Sequence, residues 1–148
     1  MRTTKQLTGE LGELLVVRRC ACPKCKRLKT LRRLPTNFKC ADIVCDFCGY
    51  LAQVKTSRSE KIDTPPQTIL GAAWRVQKDR MDSGIYFPLF VVQINSKNVH
   101  SIYYLSADLQ RPDMFIPRNP LSETARRSGW QGFVYNLRGI GQSIVRLV

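Results

Sequence analysis

Two groups of side chains carry the chemistry legible in this chain: paired cysteines, and an aspartate followed by a strand-like Gln-Val-Lys. "CPKC" contributes Cys22 and Cys25, and "CDFC" contributes Cys45 and Cys48. Two C-x-x-C knuckles with residues 26–44 between them match the spacing of a tetrahedral zinc site built from four thiolates. Each knuckle lets two sulfurs reach one ion while the backbone turns back, and Pro23 and Gly49 suit those turns. Catalytic zinc needs an open position and usually a histidine or carboxylate ligand. His100, the only histidine, lies far along the chain. The zinc is therefore expected to be structural and His100 to be a sheet side chain. Cys20 and Cys40 lack paired spacing and read as free thiols.

The second group is Asp42, Gln53, Val54 and Lys55. Hydrolysis of a phosphodiester needs an activated water, one or two divalent metals and a cation to balance the developing charge. Strand alternation turns positions 53 and 55 to one face. If Asp42 begins a neighbouring strand, its carboxylate meets them there. Mg²⁺ would then be held by Asp42, the amide oxygen of Gln53 and the carbonyl of Val54, with Lys55 orienting or deprotonating the water. Asp46 competes with Asp42 as the acid, but its backbone is committed to the second knuckle. Alone, this pattern is weak, and an exposed strand with polar faces is the plainer reading.

The bulk composition narrows the partners. Twenty-four Lys and Arg against 11 Asp and Glu give a formal net charge of +13, which draws the chain to a polyanion, nucleic acid before an anionic membrane. A membrane span is not expected, because no apolar run approaches the roughly 18–20 residues that crossing requires. "GELGELLVV" carries two glutamates and is not the apolar centre of a signal peptide. A reducing, cytoplasmic location follows, where six cysteines imply metal or chemistry rather than disulfides.

The elements that must position these groups can be read in order. "TTKQLTGELGELLVVRRC" predicts a helix capped by Thr8, with Leu11, Leu14 and Leu15 as its apolar stripe. Glu10 and Glu13 would lie in its early turns, where helix-end stabilisation is their plainer role. "GYLAQVKTS" predicts a strand ending near Thr56. Pro65 and Pro66 lead into a helix expected from about Gln67 to Met81, stopped by Asp82, Ser83 and Gly84. "IYFPLFVVQI" reads as a buried strand, "NSKN" as a turn and "VHSIYYLSA" as the returning strand. "GWQGFVYNLRGIGQSIVRLV" offers two more short strands. The expected class is α/β with a mixed sheet.

At these residues a resemblance becomes specific. "CPKC", "ADIVCDFC", "QVK", "RVQ" at Arg75 to Gln77 and "NPLSETARRSGWQGFVYNL" at Asn119 to Leu137 together resemble the catalytic domain of the DpnI type of methyl-directed restriction endonuclease, also grouped as Dam-replacing proteins. The likeness runs from about Glu13 onward. It implies a PD-(D/E)xK restriction-endonuclease-like mixed sheet flanked by helices, with a four-cysteine zinc ribbon inserted at about residues 20–50. It also implies Mg²⁺-dependent cleavage of double-stranded DNA, in that family at adenine-methylated GATC sites. Carried over by position, Asp42 is the metal-binding aspartate, Lys55 the catalytic lysine, and Glu13 a helix glutamate near the metal.

Two departures stand out. Gln53 replaces an acidic ligand, and a neutral amide binds Mg²⁺ less strongly than a carboxylate. Q-x-K members of the wider superfamily, as in the Mrr-like branch, look active. Family members also usually carry a winged-helix domain after the block that ends here. Its absence is expected, so residues 1–148 read as a single nuclease domain, with target specificity weaker or supplied by a partner protein.

For DNA, Arg126 and Arg127 suit phosphate clamping, and Trp130 suits stacking or an apolar pocket for the adenine methyl group. The zinc-loop cations Lys26, Arg27, Lys29, Arg32 and Arg33 would add salt-sensitive affinity. Two further readings stand beside the endonuclease: a zinc-ribbon DNA-binding module with a degenerate nuclease site, and a nuclease subunit targeted by a partner.

Overall fold

The computed structural model describes residues 2–38 and 41–148. Their contacts divide the chain into two compact units, one of Met1–Pro65, Phe87–Ala107 and Ser143–Val148, the other of Pro66–Tyr86 and Asp108–Gln142. The protein is mixed α/β, with a multi-strand mixed sheet, two helices and a four-cysteine cluster.

The first unit carries one helix, α1 (Thr4–Arg19), and the strands β1 (Leu31–Arg33), β2 (Ile43–Cys45), β3 (Leu51–Arg58), β5 (Leu89–Ile94), β6 (His100–Leu105) and β9 (Val145–Arg146). The sheet order is β1-β2-β3-β5-β6-β9. β3 and β5 are its one parallel pair among the described strands, with Gln53 opposite Leu89 and Lys55 opposite Val91. Every residue of β5 is buried. Its mostly apolar, non-alternating run, with Gln93 as the one polar member, is what a central strand covered on both faces requires. Ala52 and Val54 of β3 join Val16 of α1, Ile43, Phe90 and Ile102 in one core cluster.

The helix starts earlier than its stripe predicts. Thr3, not Thr8, is the cap: its hydroxyl accepts the Gln6 N–H at 3.2 Å, and the Gln6 side chain accepts the Thr3 N–H at 2.8 Å. That reciprocal box satisfies two of the orphaned amides at the helix start. Thr8 is a buried interior residue. Glu10 and Glu13 therefore sit mid-helix, where the dipole offers them nothing. Helix-end stabilisation does not explain them.

The second unit holds β4 (Thr68–Ala73), α2 (Trp74–Asp82), β7 (Phe115–Pro117) and β8 (Gly132–Asn136), with sheet order β4-β8-β7. Here the helix expected over 67–81 is corrected. Its first half is β4, paired antiparallel with β8 through Ile69 opposite Tyr135 and Leu70 opposite Val134. Gly71 lies directly against the Phe133 ring and has no room for a Cβ. Thr68, Ile69 and Gly71 are poor helix formers, so strand pairing and ring packing win over helical spacing. β7 has no counterpart among the expected strands, because "FIP" is too short to show alternation.

Gly12 of α1 also marks a close approach. A Cβ there would collide with the side chain of Thr56 on β3. Gly12→Ala should gain about 1 kcal/mol of helix propensity and lose about 1–3 kcal/mol to overpacking. Thermal unfolding is expected to show a lower Tm for Gly12→Ala, recovered when Thr56→Ala is added. A raised Tm in the single variant would contradict the contact.

Candidate metal centre and candidate active site

The four knuckle sulfurs converge. Cys22 and Cys48 Sγ are 3.6 Å apart, Cys25 and Cys45 Sγ 3.8 Å apart, and all four lie within 4.8 Å of one another. Zn–S bonds of about 2.3 Å in a tetrahedron put sulfurs roughly 3.8 Å apart. The set therefore fits a metal such as zinc.

The two knuckles are folded alike. The Cys22 N–H bonds the Arg27 carbonyl and the Lys26 N–H bonds the Cys22 carbonyl; the Cys45 N–H bonds the Tyr50 carbonyl and the Gly49 N–H bonds the Cys45 carbonyl. The residue after each second cysteine is left-handed, Lys26 at φ 64° and Gly49 at φ 79°. Burial pushes the Cys22 thiol up to about 12. Burial also opposes ionisation of Cys45, but the Thr30 hydroxyl and the amides of Cys48 and Phe47 outweigh it and bring that thiol down to about 6. Four thiolates this close would need a shared cation. Cys20 is buried and outside the cluster, its thiol pushed up to about 11 by burial, while Cys40 lies outside the described residues. His100 opens β6 and is not part of the sulfur group; burial, then the nearby Arg19 charge, holds it below its ordinary value.

The second constellation forms where β2 leaves β3. β2 pairs with β3 through Ile43 opposite Ala52. Continuing that register would bring the backbone of Ala41 opposite Val54. Instead the Asp42 carboxylate takes that place, its Oδ2 accepting the Val54 N–H at 2.8 Å. The Asp42 backbone is held on both sides, its N–H by the Ala52 carbonyl at 3.0 Å and its carbonyl by the Leu34 N–H at 2.8 Å. In a strand the N–H and C=O of one residue point to the same edge. The Val54 carbonyl thus faces the side that β2 has vacated. Gln53 bonds the other way, its N–H to the Pro88 carbonyl at 2.9 Å. Ala52 and Val54 face the core, so Gln53 and Lys55 share the opposite, half-buried face of β3.

Glu13 stands near this point on α1. Burial raises its pKa first; the Arg33 hydrogen bond lowers it, and the Asp42 charge raises it. The Arg33 Nε donates to Glu13 Oε1 at 3.1 Å, with both side chains largely covered. A groove of about 460 Å³, lined by Glu13, Glu10, Gly9, Gln6, Arg2 and Thr36, opens along this side of the helix.

Several of the DNA-contact candidates are otherwise engaged. Arg33 is bonded to Glu13, and Arg32 reaches exposed Asp46 at 3.1 Å and the carbonyls of Lys29 and Leu31. Lys26 is exposed, and Arg27 lies 3.8 Å over the Phe47 ring. In the second unit Arg126 is exposed, and Arg127 lies 4.4 Å over the half-buried Trp130 ring. That segment is a run of turns. Of the "RVQ" residues, Gln77 is buried in α2 while Arg75 and Val76 are exposed. Two supporting residues went unread in the sequence, Arg33 as the partner of Glu13 and Thr30 as the hydroxyl beside the Cys45 sulfur at 3.3 Å.

The family model described as DpnI, Dam-replacing, matches residues 2–147. The chain belongs to the Dam-replacing DpnI family. Membership points to a methylation-dependent restriction endonuclease with DNA as its substrate. Among the described residues of this family member, no helix is long and apolar enough to cross a membrane.

Two outcomes are expected. The purified protein should retain one metal ion per chain by elemental analysis, and Cys48→Ser should lose the ion and lower the Tm. Unchanged melting without metal would mean packing alone holds the sulfurs. Glu13 provides the second test. Its folded pKa is raised, so in the metal-free protein its ionisation is a burden on the fold that is absent below pH 4.5 and grows as pH rises through the raised value. Glu13→Gln mimics the protonated form. At pH 7 it should match or exceed the parent Tm, while DNA cleavage falls at least tenfold; a lower Tm with full cleavage would make Glu13 a structural residue.

Proposed function

We propose that this protein is a Mg²⁺-dependent endonuclease of the PD-(D/E)xK kind that cuts double-stranded DNA carrying adenine methylation in GATC-type sites, in restriction or defence. The observation that carries this reading is the Asp42 carboxylate seated on the Val54 N–H, between Gln53 and Lys55 in sequence, with Glu13 close enough to feel its charge. Family membership supports the substrate class.

Each residue has a role on this reading. Asp42 Oδ2 is held by the backbone, and Oδ1 is the oxygen this reading gives to a cation. The Gln53 amide oxygen and the Val54 carbonyl complete an all-oxygen set of the kind that Mg²⁺ prefers. When bound, Mg²⁺ supplies positive charge that acidifies a water and balances charge growing on the phosphate. Lys55 holds the attacking oxygen and shares that balancing role. Glu13, ionised beside Arg33, receives a proton or holds the water. The four-cysteine cluster binds Zn²⁺ as a structural clasp whose second knuckle begins three residues after Asp42. Arg126, Arg127 and Trp130 supply phosphate contacts and an aromatic face. Four thiolates on zinc and a free, buried Cys20 suit a reducing cytoplasm.

One observation favours a second reading. Gln53 stands where an acidic ligand is expected, so the protein would bind DNA through a site too weak in metal to cut. A plasmid assay with methylated and unmethylated DNA, with Mg²⁺ or without, separates the two. Cleavage of methylated plasmid is expected, abolished by Lys55→Ala with zinc content intact. Asp42→Asn is the cleaner aspartate test than Asp42→Ala: an amide oxygen can still accept the Val54 N–H, whereas alanine costs about 1 kcal/mol of stability besides. Gln53→Glu should keep or raise activity. Normal cutting by Lys55→Ala would place the site elsewhere.

A further inference from the structure

The loop that closes the first knuckle has a feature its metal does not require. The second knuckle meets its left-handed position with Gly49, the residue for which that backbone is unstrained. The first knuckle makes the same turn with Lys26 at φ 64°, and three residues on Lys29 is again left-handed at φ 61°. Lysine gains nothing in such a conformation, and strain of this kind persists where the side chain has other work. Both lysines are exposed, as are Lys24 and Arg27. Among residues 20–38 there is no acid, and the nearest one in the second knuckle, Asp46, is paired with Arg32. Amid these cations stand two large apolar side chains that the fold leaves out: Leu28 is 75% and Phe47 60% exposed. The Arg27 guanidinium stacks on the Phe47 ring, tying the tips of the two knuckles together.

From this we propose that the ribbon tip is a DNA-binding finger in its own right: Lys24, Lys26, Arg27 and Lys29 grip phosphates while Phe47 and Leu28 lie in the groove against sugars and base edges. The charge selects the partner, since a uniformly basic rim fits a polyanion. The apolar pair needs surface that becomes dry on binding, and sugars and base edges in a groove provide it, as apolar wedges do in proteins that open base steps. The finger deepens the nuclease reading by adding a contact remote from the metal-binding oxygens. It rests on that reading only for DNA as the partner.

Binding of a fluorescent 30-bp duplex, without added divalent cation so that nothing is cut, tests it. Three proteins are compared by anisotropy across salt: the parent, Phe47→Ala with Leu28→Ser, and Lys26→Gly with Lys29→Gly. The apolar pair should lose about tenfold in affinity with an unchanged salt slope. The lysine pair should lower the slope of log affinity against log salt by about 2 in magnitude. Its metal content should be unchanged and its Tm no lower than the parent's, because glycine relieves the two left-handed positions. A structural role for these lysines would show as a lower Tm instead. Parent-like affinity and slope in both variants overturns the finger while leaving the nuclease reading intact. A parent that does not bind DNA overturns both. Binding to anionic phospholipid vesicles that the variants lose, with DNA affinity unmoved, makes the tip a membrane contact and also overturns the proposal.

Discussion

The structure turns on one hydrogen bond where β2 parts from β3: the Val54 N–H meets the Asp42 carboxylate at 2.8 Å in place of a ladder carbonyl. The amide of a buried strand residue cannot go unpaired without cost. Any residue at position 42 with an oxygen at that reach would satisfy it, but only a carboxylate does so while keeping a second anionic oxygen uncommitted. The parting of the strands also turns the Val54 carbonyl toward the same space. The place where the ladder fails is thus the place where oxygen donors accumulate. Three residues further on, Cys45 enters the sulfur cluster, so the departing strand is clamped at its other end. The cysteine cluster and the Asp42 turn bound the same short strand, and its direction follows from both.

Charge balance explains the surroundings of that turn. Burial penalises the Glu13 charge most, and the Asp42 charge adds to that penalty. Arg33 offsets part of the penalty, and its own position comes from β1, which follows the first knuckle and pairs with β2 through Arg33 opposite Ile43. The arginine is therefore less a free DNA contact than a link between the ribbon and the helix glutamate. Its neighbour Arg32, on the alternate side of β1, goes to Asp46.

What was legible in the sequence is what local spacing encodes. The knuckles were readable because two sulfurs on one turn need C-x-x-C, and the sulfurs do converge. β3, β5 and β6 were readable from alternation or a mostly apolar run. The failures are places where distant partners decide. Thr68–Ala73 has helical spacing but becomes a strand because β8 lies beside it and Phe133 occupies the space over Gly71. Thr8 looked like a cap, yet Thr3 forms the box, because Gln6 is near enough to reciprocate. The Asp42–Val54 bond and the Glu13–Arg33 pair join residues 12 and 20 apart, and no periodicity reports either.

Gln53 is the residue at which pattern and geometry part company. A neutral amide in place of a second acidic ligand lowers the negative charge offered to a dication, which by itself argues for a weak site. On the reading proposed above, that loss is not uncompensated. The charge absent from β3 is present on α1, where Glu13 is exposed to the field of Asp42 and held by a single arginine. Two carboxylates still act on one another, one of them on the helix rather than on β3. Burial is the main cause of the raised Glu13 pKa and the Asp42 charge adds to it, so a cation between the two carboxylates would offset part of that penalty. The mid-helix glutamate, the offset ladder at Asp42 and the amide at Gln53 then form a single arrangement, in which each departure from the expected pattern is answered by another.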